Sequence, residues 1–248
     1  MNSILEQPKI FYPSSDGKPM GETGIHVRAM MHLYLALEEF FKPRQDIYIA
    51  TNMFWYWKEG RTKTVAPDVM VVPGVSRRPE RRSFFTWKEN GVVPAVVFEV
   101  ASEGTWKSDL IRKRRLYQRR GVKEYFIFDP EGLYLRPRLL GFRLKGLRYQ
   151  TLFAVDDILN SDLGFDIRPD GEMLRLIDRT TGIDIPTPAE TIERFRQAEE
   201  HVRRAEEQTR TAEESARREA EQSAQLRSEN ERLKALLEKL GSPTEDGP

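Results

Sequence analysis

VFEVASEGTWKSDLIRKRRLYQRRGVKEYFIFDP, residues 97–130, decides the fold, because it writes a strand, a helix and a second strand in one uninterrupted run. The first strand belongs to PAVVFEVA (94–101), a short apolar stretch bounded by breakers, as buried strands are. SDLIRKRRLYQRR (108–120) has helical spacing and stops at Gly121, in the position of a helix C-cap. EYFIFD (124–129) is the second strand, ended by Pro130. Upstream, TVAPDVMVV (64–72) is another short buried strand, and DIYIATNMFWYW (46–57) is β-branched and aromatic enough to be one more. GIHVRAMMHLYLALEEFF (24–41) places Ile25, Ala29, Leu33, Leu37 and Phe40 near one face and reads as an amphipathic helix, with Pro43 just beyond its end. Downstream, LLGFRL (139–144) and LRYQTLF (147–153) pattern as a hairpin. Residues 154–189 run irregularly, with a short strand expected at 172–178. Helix, strands, helix, strand in this order imply an α/β domain with a mixed central β-sheet flanked by helices.

The chain of 248 residues has room for one sizeable domain and an appendage. It contains no cysteine, which excludes disulfides, thiolate metal sites and a cysteine nucleophile, and suits a reducing compartment. No apolar stretch approaches the roughly 18 residues of a membrane helix, and MNSILEQPKI lacks the basic-then-apolar pattern of a secretory signal. The expected location is the cytoplasm.

The near-balance of 40 basic against 39 acidic residues hides an asymmetry. Residues 190–248 carry 11 Lys+Arg and 15 Asp+Glu, so the remainder of the chain is net basic. Within it, Lys107, Arg112, Lys113, Arg114, Arg115, Arg119, Arg120 and Lys123 face only Asp109 and Glu124 in residues 107–124. Such a cluster serves a polyanion-binding surface or, equally, a solvated helix face. Arg114, Arg115, Arg119 and Arg120 are the candidate nucleic-acid contacts.

Residues 190–240 lack Gly and Pro and accept an unbroken heptad register. Phe195, Val202, Thr209, Ala216, Ser223, Asn230 and Leu237 take the a positions. Ala198, Ala205, Ala212, Glu219, Leu226, Leu233 and Leu240 take d. That spacing is the coiled-coil pattern, and Asn230 at a favours a parallel two-stranded register. A homodimer through residues 190–240 is the expectation, and a lone helix held by Glu/Arg pairs is the alternative. The expected division is a domain at 1–188, a coiled-coil helix at 189–241 and a disordered tail at 242–248.

Two carboxylates interrupt otherwise apolar strands. In VAPDVMVV, Asp68 shares a face with Ala66, Met70 and Val72, and in AVVFEVA, Glu99 shares one with Val97 and Ala101. A buried ionised carboxylate needs a partner, and two of them point to a metal or other cation between them; separate pairing to arginines is the alternative. Asp109, Lys113 and Tyr117 recur every fourth residue and line one stripe of the next helix. Two oxygen-ligand carboxylates with a nearby lysine form a set suited to phosphodiester hydrolysis.

GKPMGETGIH (17–26), APDVMVVPGV (66–75) and the 97–130 run, in this order, resemble the Uma-two family of restriction-endonuclease-like proteins, within the PD-(D/E)XK nuclease superfamily. The resemblance extends over most of residues 10–185. It implies a restriction-endonuclease-like core and Mg²⁺- or Mn²⁺-dependent hydrolysis of phosphodiester bonds in DNA. It makes Asp68 and Glu99 metal ligands and catalytic residues, with the backbone carbonyl of Val100 as a third ligand. It implies that Glu22 supports the metal or a water, and that His26, Ser102 and Asp109 occupy family positions. The superfamily lysine two residues after the glutamate falls here at Ala101, and the nearby position that often supplies one is Glu103. Lys113 is therefore the expected catalytic lysine, with Lys107 as the alternative. Three functions follow: a DNA endonuclease dimerised by its tail, a catalytically inactive nucleic-acid-binding or regulatory protein on a nuclease fold, and an assembly factor that works through its coil. Asp129, before Pro130, reads as a turn residue, and Phe54, Trp55, Tyr56 and Trp57 read as packing.

Overall fold

The computed structural model describes residues 10–14 and 23–240. Glu22, the start of the GKPMGETGIH motif and the expected tail at 242–248 lie outside the described residues. The chain divides into two units, Met1–Pro188 and Ala189–Pro248.

In the first unit, α1 (Gly24–Phe40) begins at Thr23, whose side chain accepts a hydrogen bond from the His26 N–H, a standard N-cap. The expected strand at 46–57 is two. β1 (Ile47–Thr51) stops at Asn52, which takes the left-handed φ of 45°, and β2 (Trp55–Tyr56) follows. A left-handed residue breaks the ladder geometry that continuous β patterning suggests. β3 (Val69–Pro73), β5 (Val96–Val100), β6 (Glu124–Phe128), β7 (Leu139–Lys145) and β8 (Arg148–Leu152) join β1 in a six-stranded sheet ordered β1-β3-β5-β6-β7-β8. Only β5 and β6 pair in parallel, so the sheet is mixed. A parallel pair needs a crossover. Here it is the helical run of α2 (Trp106–Ser108), a π-helical segment Asp109–Lys113, and α3 (Arg114–Arg120), which ends on left-handed Gly121.

The sheet buries both faces. Val69, Val71, Phe98, Val100 and Phe126 pack with Leu33 and Leu37 of α1. Met70, Val72, Val97, Ala101 and Ile127 pack with Tyr117 of α3 and with Trp55. The strand expected at 172–178 is present as Met173–Asp178, but the irregular reading of the rest of residues 154–189 missed the two strands that join it in a small antiparallel sheet. β9 (Leu159–Asn160), β10 (Phe165–Asp170) and β11 (Met173–Asp178) contribute Leu159, Phe165, Ile167, Leu174 and Leu176 to the α1-side core. These strands alternate across single glycine turns and are too short to stand out by periodicity. A second pair missed by sequence is β2 with β4 (Phe84–Phe85), which are parallel and two residues long. Gly141 in β7 is required by close approach, since a Cβ there would lie 2.8 Å from Leu159 Cδ1.

The second unit is α4 (Pro188–Leu240), 53 residues of continuous helix and about 80 Å long at 1.5 Å per residue. Arg196 pairs with Glu193 and Arg217 with Glu221 along it. Phe195, Val202, Leu226, Leu233 and Leu237 are all at least half exposed on the single chain. Among the described residues no helix is long and apolar enough to cross a membrane.

Candidate metal and nuclease site

Backbone pairing places Asp68 and Glu99 together. β3 and β5 are antiparallel with Val69 opposite Phe98, so the next step outward sets Asp68 beside Glu99 at the end of the pair. Both side chains point to the face that carries Met70, Val97 and Ala101, as the alternation of the sequence requires. Asp68 is fixed twice: its backbone carbonyl accepts from the Asn52 N–H at 3.2 Å, and its Oδ2 accepts from the Val100 N–H at 2.7 Å. His26 Nε2, from the first turn of α1, stands 3.7 Å from the same oxygen. The resemblance put His26 at a family position; in space it adjoins Asp68.

The crossover helix supplies the remaining groups. Lys113 Nζ donates to Glu99 Oε2 at 2.7 Å and lies 3.0 Å from Asp109 Oδ1. Tyr117 OH donates to Glu99 Oε1 at 2.6 Å. Asp109 and Glu99 are fully buried at their side chains, whereas Lys113 keeps 14% exposure. In a regular α-helix each fourth residue advances about 40° around the axis, so Asp109 and Tyr117 would drift apart. The π turn over Asp109–Lys113 is wider and swings the chain back, and it keeps Asp109, Lys113 and Tyr117 on the sheet side. Single π turns of this kind are frequent at functional sites.

Electrostatics separates the carboxylates. Burial pushes Glu99 well above the ordinary carboxylate range; Lys113 opposes this, and Asp68 and Asp109 add to it. Asp109 is also raised by burial, against the pull of Lys113. For Asp68, burial is outweighed by His26, Lys113 and the Val100 N–H, and its carboxyl is held below the usual value. Burial lowers Lys113, yet Glu99, Asp109 and Asp68 together outweigh it and hold the ammonium charged. Burial beside Glu99 raises the Tyr117 phenol well above its usual value, so it stays a donor.

Among the described residues no group of three His, Asp or Glu side chains is gathered into a metal cage. Asp68 and Glu99 nevertheless suit a hard divalent ion of the kind held by one or two carboxylates, with waters and substrate phosphate completing the shell. Three carboxyl groups face one ammonium here, and a bound cation would favour the charged form of the two that burial raises. The four candidate arginines separate. Arg120 lies over the Trp57 ring at 4.8 Å and Arg114 over the Phe142 ring at 5.0 Å, while Arg115 and Arg119 are exposed. Ser102 bonds Thr105, within the turn that opens α2, and makes no contact with Glu99 among the described residues.

A mixed sheet that brings two carboxylates to neighbouring strands under a lysine-bearing crossover helix defines a restriction-endonuclease-like domain. The chain belongs to the Uma2 family, described as "Putative restriction endonuclease", whose model matches residues 5–168. It is also similar to a crystal structure titled as a putative nuclease belonging to DUF820 from Anabaena variabilis. The two share 13% identity with a TM-score of 0.44, over 59% of this chain and 76% of that one. No curated protein matches the chain.

Proposed function

We propose that this protein is a metal-dependent endonuclease that hydrolyses phosphodiester bonds in DNA, working in the cytoplasm as a homodimer joined through residues 190–240. The observation that carries the reading is the 2.7 Å contact between Lys113 Nζ and Glu99 Oε2. It sets a lysine from the helix against the glutamate whose own strand offers Ala101 in the superfamily's lysine position.

Asp68, Glu99 and the Val100 carbonyl would hold Mg²⁺ or Mn²⁺. When bound, such an ion polarises the phosphate and makes water acidic enough to attack. Val100 N–H and His26 keep the Asp68 carboxylate charged and aimed. Tyr117 fixes the rotamer of Glu99. Lys113 and Asp68 keep 14% and 10% side-chain exposure, and the Lys113 ammonium beside Glu99 would orient the attacking water and stabilise charge on the phosphate. Glu22 lies outside the described residues, and its support of the metal remains part of the proposal.

One observation favours the alternative, a catalytically inactive nucleic-acid-binding or regulatory protein. Both Glu99 oxygens already accept hydrogen bonds, from Lys113 and Tyr117. Supercoiled plasmid incubated with the purified protein and Mg²⁺, Mn²⁺ or EDTA decides between them, beside a Glu99→Ala control. Metal-dependent nicking that vanishes in the control is the expected result. Intact plasmid with a folded protein and every metal selects the alternative.

A further inference from the structure

Two adjoining cavities open beside the site. The first, about 460 Å³, is lined by Phe54, Trp57, Lys63, Arg112, Leu116 and Lys113 itself. The second, about 420 Å³, shares Trp57 and Lys63 and continues past Lys58 and Arg61 to Arg120. Together they form one cleft that leaves Lys113 and runs between the 58–64 loop and the outer stripe of α3. Its walls carry Lys58, Arg61, Lys63, Arg112 and Arg120, and none of these five is paired with a carboxylate among the described residues. Glu59, the sole carboxylate in that loop, lines neither cavity. Unpaired cations on two sides of a groove make an electrostatic track for a phosphate backbone.

The floor of the cleft is aromatic. Trp55 and Tyr56 are buried, while Phe54 and Trp57 are half-buried and line the cleft. Trp57 is braced from the side by Trp55, at 6.0 Å and 77°, and its face carries the Arg120 guanidinium. An indole that packs on the core and carries an exposed arginine on its ring is a surface on which a base can stack, with the arginine moving to a phosphate. Duplex bases are already stacked on one another, so such a platform selects an unpaired strand.

We infer that this cleft binds single-stranded DNA, with a base stacked on Trp57 and the backbone tracked by Arg61, Lys63, Arg112 and Arg120 toward Lys113. The inference rests on the nuclease reading for its purpose but is tested without cleavage. Full-length protein is titrated, in EDTA, against a fluorescein-labelled single-stranded oligothymidylate and against a duplex of equal length, with anisotropy as the readout.

Trp57→Ala is expected to weaken single-strand binding about ten-fold and duplex binding far less, and Trp57→Phe to restore most of the difference. Arg61→Ala with Lys63→Ala, both on the exposed loop, flattens the salt dependence by about 0.7 in log–log slope per lost phosphate contact. Arg115→Ala with Arg119→Ala, outside the cleft, tests the competing helix surface and is expected to lower single-strand affinity less than Arg61→Ala with Lys63→Ala. Equal single-strand affinity in Trp57→Ala and the parent chain overturns the inference, as does a loss that follows Arg115 and Arg119 instead. Cleft-dependent binding without cleavage by any metal removes the nuclease reading alone. Metal-dependent cleavage with binding indifferent to Trp57, Arg61 and Lys63 removes this inference alone.

Discussion

Lys113 Nζ sits 2.7 Å from Glu99 Oε2 and 3.0 Å from Asp109 Oδ1, so a single ammonium from the crossover helix balances two buried carboxylates. Ala101, two residues beyond Glu99 on the same strand, is buried on the same face and contributes no charge. Lys113→Met is therefore expected to lower cleavage by about 10²–10³-fold, the usual effect of removing one preorganised charge stabiliser. It also leaves buried carboxylates without their cation, at a cost of about 3–5 kcal/mol. A divalent ion replaces part of that charge, so Mn²⁺ should raise the melting temperature more in Lys113→Met than in the parent. Equal shifts in the two proteins would place the ion elsewhere.

The raised pKa of Glu99 gives the metal-free fold a pH dependence with a defined sign. Burial lifts Glu99 above its unfolded value of 4.5, so the folded state favours its protonated form. The stability it contributes is full below that unfolded value and is lost as pH rises through the raised folded value. Asp109 acts in the same sense. Asp68, held below 3.8, acts in the opposite sense and contributes above that value. Glu99→Gln removes the first dependence. Its melting temperature in EDTA should fall less than the parent's as pH rises from 4.5 through the raised folded value. Ion binding by the parent should strengthen over the same interval, as Glu99 gives up its proton. Parallel melting curves for the two proteins would show that Glu99 does not titrate there.

Tyr117 donates to Glu99 from a fully buried position, stacked against Trp55 at 6.3 Å and tilted on Tyr125 at 5.0 Å. Tyr117→Phe keeps those ring contacts and deletes the donor. Deleting it leaves a buried oxygen of Glu99 unsatisfied, at a cost of about 1–3 kcal/mol, and urea unfolding should show a loss in that range. The loss should shrink when Glu99 is already glutamine. A double-mutant cycle that adds up without coupling would mean the phenol stabilises by packing alone.

Asp129 illustrates a carboxylate of the other kind. Its Oδ1 accepts from the N–H groups of Glu131 and Gly132, and its Oδ2 from those of Tyr134 and Leu135. Those four donors hold the 130–135 loop, which seats Leu135 in the same core as Tyr117. Asp129→Ala strands them and should destabilise the protein by about 2–4 kcal/mol in urea, summing several modest bonds with context-dependent losses. Metal binding measured on the folded fraction should not change.

The parts of this fold that were legible in the sequence are those with strong local patterning. The apolar runs around Asp68 and Glu99, the helix stopped by Gly121 and the turn at Asp129 each carry their own signal; alternation assigned each carboxylate a face of its own strand, and the pairing of β3 with β5 made it the same face. The rest depends on tertiary position. A helical spacing of four does not announce a π turn at Asp109–Lys113, nor that Lys113 covers Glu99. The break between β1 and β2 is marked only by Asn52, a type that accepts left-handed φ, inside a run of β-formers. Four arginines in seven residues read as one surface, yet helical rotation sends Arg114 to Phe142 and Arg120 to Trp57. The aromatics of 54–57 were read as packing, and they do pack, Trp57 against the core that holds Trp55 and Phe54 edge-on to Tyr56, but the reading did not show that Phe54 and Trp57 also line a cleft.

The long helix gives the last prediction. Phe195 and Leu226 are 68% and 65% exposed on a single α4, and a partner helix is what covers such a seam. The seam is apolar at its ends and small or polar between, so pairing depends on Leu226, Leu233 and Leu237. Asn230 lies among them and on the single chain donates to the Leu226 carbonyl. The full-length protein should sediment at twice the 28.9 kDa chain mass. Leu226→Asp with Leu233→Asp should return it to one, without change in the melting of the catalytic domain. Asn230→Val should raise the stability of the pair and loosen its preference for two strands, since a buried polar a residue fixes register at the expense of stability. If the chain runs as a monomer at every concentration in analytical ultracentrifugation, α4 is a lone helix held by pairs such as Arg217 with Glu221. Two nuclease sites would then not be tethered for cutting both strands.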